Sequence, residues 1–193
     1  MPEEPADARR RILDASVALV AEQGVRAVSF REVARRAGVS HQTPYHHFGD
    51  HHGILREIAR EGFASLAAAM QSAADKERDP QRALNAAGVA YVTFALAHVG
   101  HFRVMFQTTN EPDRQLPEGQ ETYATLVRLA TAAHRAGAGT GLSVDTICHL
   151  AWSTVHGLAN LLIEGILQPK LLDKDADALV RQTIGALTRL LRT

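Results

Sequence analysis

Between Ser29 and His52 this chain concentrates side chains that donate hydrogen bonds. Gln42, Thr43, Tyr45, His46 and His47 fall within six residues, with Ser40 and His41 just before them and Arg31 upstream. Hydroxyl, carboxamide, imidazole and guanidinium groups are the ones that hold phosphate oxygens and read base edges. Nothing around them is arranged for catalysis: no G-x-S-x-G elbow, no phosphate-cradling loop and no paired carboxylates in an apolar segment. The histidines invite a metal reading, but the Phe48-Gly49-Asp50 turn separates His46 and His47 from His51 and His52. Neither C-x-x-C nor H-E-x-x-H spacing is present. They read as a DNA-facing polar cluster, with no metal and no cofactor.

Two short helices must position these donors. Ser29 is placed to cap a helix, with Glu32 three residues on as its capping-box partner. Val33, Ala34 and Ala37 supply a small apolar face. Gly38 then takes the left-handed conformation that ends the helix, Val39 is buried in the turn, and Ser40 caps the next helix. A glycine-containing turn between two short helices is the signature of a helix-turn-helix, although a plain helical corner shares it.

The whole chain, at 193 residues, is rich in alanine and leucine and poor in aromatics, with no alternating β-branched runs, so it reads as all-α. Its formal net charge is zero. Charge is unevenly placed, however: from Ala8 to His52 seven arginines face four carboxylates, a modest local basic footprint for which tight DNA binding needs two copies. A first helix runs from an Asp7 cap to Gly24, with Arg9, Arg10 and Arg11 in its opening turns opposing the helix dipole; a solvated face is the commoner reading of such a run, and an external phosphate is the other way to offset it. Asp50 caps a fourth helix ending near Ala74, and Asp79 with Pro80 starts a fifth that Gly100 stops. His101 to Gln107 forms a short sixth helix, and Thr108 to Gly119 is the longest loop. A seventh helix spans Glu118 to Ala136, Ser143 caps the eighth, and a ninth runs from Asp175 to Leu191. The lone Cys148 excludes an internal disulfide framework and suits a reducing cytoplasm. The acidic N-terminus is unlike a signal peptide, and no apolar run is long enough to span a bilayer, so a cytoplasmic protein without membrane partners is expected.

The order of these pieces resembles the tetracycline-repressor family of bacterial regulators. Ile12 to Gly24, S-F-R-E-V-A-R-R-A-G-V-S at Ser29 to Ser40, and Y-H-H-F at Tyr45 to Phe48 are similar to its N-terminal signature, and Trp152, His156 and Gly157 resemble a W-x-x-x-H-G pattern of one subgroup. The resemblance implies a helix-turn-helix DNA-binding domain over 1–52, then a helical effector-binding and dimerisation domain over 53–193. Arg31 and Thr43 match positions that meet bases or phosphates, and Tyr45 the recurrent phosphate-contacting tyrosine. Ser29 and Ser40 stand at the two caps, and His41, Gln42 and His46 are the expected base readers. Two positions depart from the pattern. Pro44 stands in place of leucine, and His51 in place of a phosphate-binding lysine.

The implied partners are a palindromic double-stranded operator, a second copy of the chain and a small, largely hydrophobic effector that releases a repressor from DNA. Candidate pocket residues are Phe63, Leu66 and Met70 on the fourth helix, Tyr91 and Phe94 on the fifth, and Phe102, Met105 and Phe106 on the sixth. Tyr123, Trp152 and His156 join them from the seventh and eighth. The dimer is expected through the last two helices. Its stripes are Val155, Leu158 and Leu162 on one and Val180, Ile184, Leu187 and Leu191 on the other, with Trp152, Leu161, Ile163, Leu179 and Leu190 as surplus apolar surface.

Overall fold

The computed structural model describes residues 5–107, 116–167 and 175–191. These form nine α-helices and no strand: α1 (Pro5–Gln23), α2 (Phe30–Ala37), α3 (Thr43–Phe48), α4 (His51–Ala74), α5 (Pro80–Ala97), α6 (Val99–Gln107), α7 (Pro117–Arg135), α8 (Val144–Ile163) and α9 (Ala176–Leu190). A 3-10 turn, Val25–Ala27, links α1 to α2.

Helix starts follow local capping chemistry. Asp50 Oδ1 accepts from the Gly53 N–H at 2.8 Å, and Asp79 Oδ1 accepts from the Arg82 N–H at 2.8 Å. Ser143 accepts from the Thr146 N–H at 3.1 Å, and Asp175 from the Asp177 N–H at 3.2 Å. Each satisfies one of the N–H groups that a helix start leaves without an intrahelical partner. Asp7, expected as a cap, lies instead inside the first turn of α1, which begins at Pro5. Much of the expected Thr108–Gly119 loop falls outside the described residues; α7 is under way by Pro117.

The described residues divide into two compact units. The first comprises the chain up to Phe63 together with His98–Leu116, and the second Ala64–Ala97 with the chain from Pro117 onward, so the boundary falls within α4. In the first unit Ile12, Leu13, Leu19 and Val20 of α1 meet Phe30, Val33 and Ala37 of α2 and Ile54, Leu55 and Ile58 of α4. Val104 of α6 joins the same core. Helix α6 therefore packs with the N-terminal helices.

Gly100 explains how it does so. It lies inside α6, not at the end of α5, because α5 already stops at Ala97. A Cβ at Gly100 would overlap the Val17 carbonyl oxygen and press on the Val17 side chain, so the absent side chain lets α6 lie directly on α1. Beside it, Arg103 donates to the Ala21 carbonyl at 2.9 Å, satisfying an acceptor in the last turn of α1.

The second unit is organised around α5, whose Ala83, Leu84, Ala87, Tyr91, Val92, Phe94 and Ala95 are buried. Gly88 sets the spacing: a Cβ there would stand 3.1 Å from Ile184 of α9 and 3.4 Å from Val155 of α8. Asn85 donates to the Thr188 hydroxyl at 3.1 Å, fixing the register of α5 against α9. No single helix among the described residues is long and apolar enough to cross a membrane.

Replacing Gly100 with alanine should force α6 off α1 and destabilise the protein by about 1–3 kcal/mol, the usual cost of overpacking. Urea denaturation followed by circular dichroism measures it, and an unchanged midpoint would show that α1 yields freely.

Candidate nucleic-acid interface

Helix α2 is built as its sequence indicates. Ser29 is extended, and its hydroxyl accepts from the Glu32 N–H at 3.3 Å. Glu32 does not complete the capping box. Its carboxylate binds Arg35 at 2.6 Å and Arg36 at 2.9 Å, and those two guanidiniums, Arg35 foremost, hold it down to about 2. Gly38 adopts φ 66°, ψ 34°, the left-handed conformation that ends the helix.

The second helix starts later than expected. Ser40 does not cap it; its hydroxyl lies 2.7 Å from the Thr43 hydroxyl, and α3 begins at Thr43. Pro44 is the reason. Proline lacks an N–H and its ring crowds the residue before it, so regular helix starts only at the Thr43–Pro44 step. Pro44 itself is buried within the first turn, where an N–H would have no intrahelical partner.

Ser40, Gln42, Thr43, Tyr45 and His46 line one shallow open concavity, so five of the residues singled out in the sequence share a surface. Tyr45 is 48% exposed. Its ring meets the buried Phe30 edge-on at 4.7 Å, while His41 stacks beside it at 6.2 Å. The phenol is thus aimed outward by α2. Arg31 is exposed on the same short helix as Ser29's cap.

At the far end of α3, Gly49 has φ 72° and donates to the Tyr45 carbonyl at 2.9 Å. Asp50 N–H donates to the Phe48 carbonyl at 2.9 Å while its carboxylate caps α4. Gly53 completes the junction: a Cβ there would overlap the same Phe48 carbonyl oxygen. Arg9 of α1 lies 5.4 Å from the centre of the Phe48 ring and pairs with Glu57 at 2.5 Å. Arg10 pairs with Asp14 at 2.5 Å and with Glu61 at 3.0 Å. The opening arginines of α1 therefore pair with carboxylates of α1 and α4.

His51 is half-buried, and its ring donates to the Val28 carbonyl; burial lowers its pKa. One of its nitrogens is therefore committed to the protein. His46 and His47 contact edge-on at 5.5 Å, as do His51 and His52 at 5.9 Å.

The candidate pocket residues fall in both units. In the first, Phe106 meets Phe63 at 5.5 Å and Phe102 at 5.1 Å, and Met105 covers Gly62. In the second, Leu66, Met70, Tyr91 and Phe94 are buried. The Tyr91 hydroxyl lies 2.9 Å from His156 Nδ1 and hydrogen-bonds to Trp152, which in turn packs on Tyr123 at 5.6 Å. Burial raises the phenol pKa and lowers that of the imidazole. Trp152 and His156, one helical turn apart on α8, thus grip one buried oxygen.

Val155, Leu158 and Leu162, with Val180, Ile184 and Leu191, are buried inside the subunit, and Leu187 is partly so. Val155 and Ile184 face Gly88 of α5, as a clean apolar stripe does when a subunit uses it for its own core. The apolar side chains left exposed on these helices are Leu150, Trp152 and Leu161 of α8 and Leu190 of α9, the last 72% exposed. Sequence reasoning missed Gly53 and Gly62 and misplaced Gly100 at the end of α5. Glycine inside a helix is their only sequence signal.

Residues 12–65 match the family model described as bacterial regulatory proteins, tetR family, and residues 84–187 match the tetracyclin repressor-like C-terminal domain. The HTH-type transcriptional repressor KstR2 of Mycolicibacterium smegmatis is 26% identical over 104 residues, covering 54% of this chain and 50% of that protein. The chain therefore spans half the length of this relative. Among solved structures, a Rhodococcus sp. RHA1 protein of unknown function is 30% identical over 96% of both chains, with a TM-score of 0.79. The transcriptional regulator FadR of Bacillus subtilis, solved with stearoyl-CoA, shares the fold at 17% identity over 93% of this chain and 97% of its own, with a TM-score of 0.70.

Two predictions come from this geometry. Gly53→Ala should push the end of α3 away from α4 and lower affinity for any duplex the protein recognises at least tenfold, with the circular dichroism spectrum retained; equal affinity would show that the junction relaxes. The second concerns pH. His51, His101 and His156 have pKa values lowered by burial, so the folded state binds fewer protons than the unfolded chain. Their contribution is present above about pH 6.5 and is lost as pH falls below it. Glu32 and Glu57, each held at about 2, then lose theirs as pH falls below about 4.5. The thermal midpoint should therefore drop from pH 7.5 to pH 5.5 and drop again below pH 4.5. A rise on acidification would contradict this.

Proposed function

The chain belongs to the tetR family of bacterial regulatory proteins, and from that premise we propose that it is a cytoplasmic repressor that binds a palindromic operator as a homodimer and is released by a small, largely hydrophobic effector. The observation that carries the DNA-reading part is the exposed face of α3. There Gln42, Tyr45 and His46 stand outward beside Thr43, on a helix held by buried Pro44, Phe30 and the Gly49–Gly53 junction. Gln42, His41 and His46 read base edges; Ser29, Arg31, Thr43 and Tyr45 hold phosphates or frame the contact. His51 adds a phosphate contact only through the ring nitrogen not bonded to Val28. In this division 1–52 reads DNA and 53–193 binds effector and partner.

The dimer uses the exposed face of α8. Leu150 and Leu161 are exposed on one side of it, and nothing lies within 4 Å of where a Cβ of Gly157, on that same side, would stand. A second α8 packs against this face around a two-fold axis, with α9 contributing Leu190. Effector binding belongs to the second unit, where Tyr91, Trp152 and His156 bring polar groups together and Leu66, Met70 and Phe94 are buried. The stearoyl-CoA complex of the Bacillus subtilis protein supports an apolar chain as effector. Helix α4 belongs to both units, so an effector that favours a spacing of the two α3 helices unsuited to the operator lowers DNA affinity.

Selection of duplexes from a random pool, followed by sedimentation of the complex, tests this reading. The expected outcome is a palindrome bound by two subunits; enrichment of no sequence would refute it. Tyr45→Phe should weaken binding by about 1 kcal/mol for all operator variants alike, as loss of a phosphate hydrogen bond does. Leu161→Glu should yield monomers with greatly reduced operator affinity, and a dimer that survives it would move the interface off α8.

A further inference from the structure

Most cations of the first unit are engaged by its own groups. Arg9 and Arg60 pair with Glu57, Arg10 with Asp14 and Glu61, and Arg11 with Asp7. Arg35 and Arg36 share Glu32, and Arg36 also reaches Glu22. Arg103 is bonded to backbone carbonyls of α1, and Arg56 lies in the field of Asp50. The unit's described residues include no lysine. Among the unit's described residues two exposed guanidiniums remain, Arg26 and Arg31, and neither has an ion pair or hydrogen bond there.

Arg26 is held outward by its neighbours. It is the middle residue of the Val25–Ala27 turn, and both Val25 and Ala27 pack against the hydrophobic core. The turn is closed by the Ala27 N–H on the Gly24 carbonyl and the Val28 N–H on the Val25 carbonyl, each at 3.2 Å. His51 ties Val28 to the start of α4 by donating to its carbonyl. That bond also commits one imidazole nitrogen to the protein, so the edge formed by the turn and the start of α4 has Arg26 as its exposed, unengaged cation. Arg26 stands three positions before Ser29, at most about 11 Å of chain, which places a long guanidinium side chain within reach of the same backbone as Arg31.

We propose that Arg26 binds a phosphate of the operator backbone, and that Arg26 and Arg31 supply the electrostatic grip of each subunit. This rests on the DNA-binding reading above. It assigns no base to Arg26: a guanidinium on phosphate positions the protein and carries no sequence information. Two such contacts per subunit make four in a dimer, so log K against log salt should have a slope of about −3.6, shallow for a dimeric repressor.

The test is a salt titration of the selected duplex at pH 8, where imidazoles add little charge. Wild type, Arg26→Gln and Arg26→Lys are compared, each first checked for an unchanged melting curve. Arg26→Gln should flatten the slope by about 1.8, two lost phosphate contacts per dimer. Its discrimination between operator and mutated operators should not change, and Arg26→Lys should restore the slope. An Arg26→Gln slope equal to wild type overturns the assignment while leaving the DNA-binding reading intact. A wild-type slope of about −7 or steeper overturns the two-cation count. Failure of the wild type to bind any selected duplex overturns both readings together.

Discussion

A six-residue helix has no stability of its own, because the cost of nucleating the first turn exceeds what one or two hydrogen bonds return. Helix α3 is that short, and everything it presents depends on what holds it. Its start is set by Pro44, buried in the first turn. Its middle is set by Tyr45 standing edge-on against Phe30, and its end by Phe48, whose ring lies under Arg9 and whose carbonyl faces the bare α-carbon of Gly53. Three neighbouring helices therefore define the orientation of one exposed face. The chemistry of Gln42, Tyr45 and His46 is borrowed from that support.

The same reasoning explains why α6 packs with the N-terminal helices. Gly100 removes the side chain that would separate it from α1, and Arg103 satisfies carbonyls that the end of α1 leaves open. His101 of α6 lies 3.8 Å from Glu61, which also receives Arg10. Helices α1, α4 and α6 are thus tied by backbone approach and by charge, in addition to a shared apolar core. Surface ion pairs of this kind each add little stability, but they fix which surfaces meet.

Much of this was legible in the sequence wherever the deciding chemistry is local. Ser29, Asp50, Asp79 and Ser143 cap the helices that follow them, and Gly38 ends α2, because a cap depends on residues within three or four positions. Ser40 was not legible, since the proline four residues later overrides its capping preference. Nor was the outward face of α8. A stripe at helical spacing marks an apolar face without saying whether the partner is the same chain or another, and Val155, Leu158 and Leu162 turned inward. Gly53 was missed and Gly100 misplaced for a related reason: what they permit is a contact with backbone far along or across the helix junction, which no spacing rule encodes.

The internal pairing of arginines has a kinetic side. A protein that carries many free cations lingers on any stretch of duplex, since sequence-independent attraction to the phosphate backbone supplies nearly all of its grip there. Glu22, Glu32, Glu57 and Glu61 remove most of that attraction from the first unit before DNA is met. On the DNA-binding reading proposed above, such a surface would leave random chromosome quickly and search by hopping between distant segments more than by sliding along one. The competing genome, which offers millions of near-identical backbones, is thereby made less sticky without any base contact being improved.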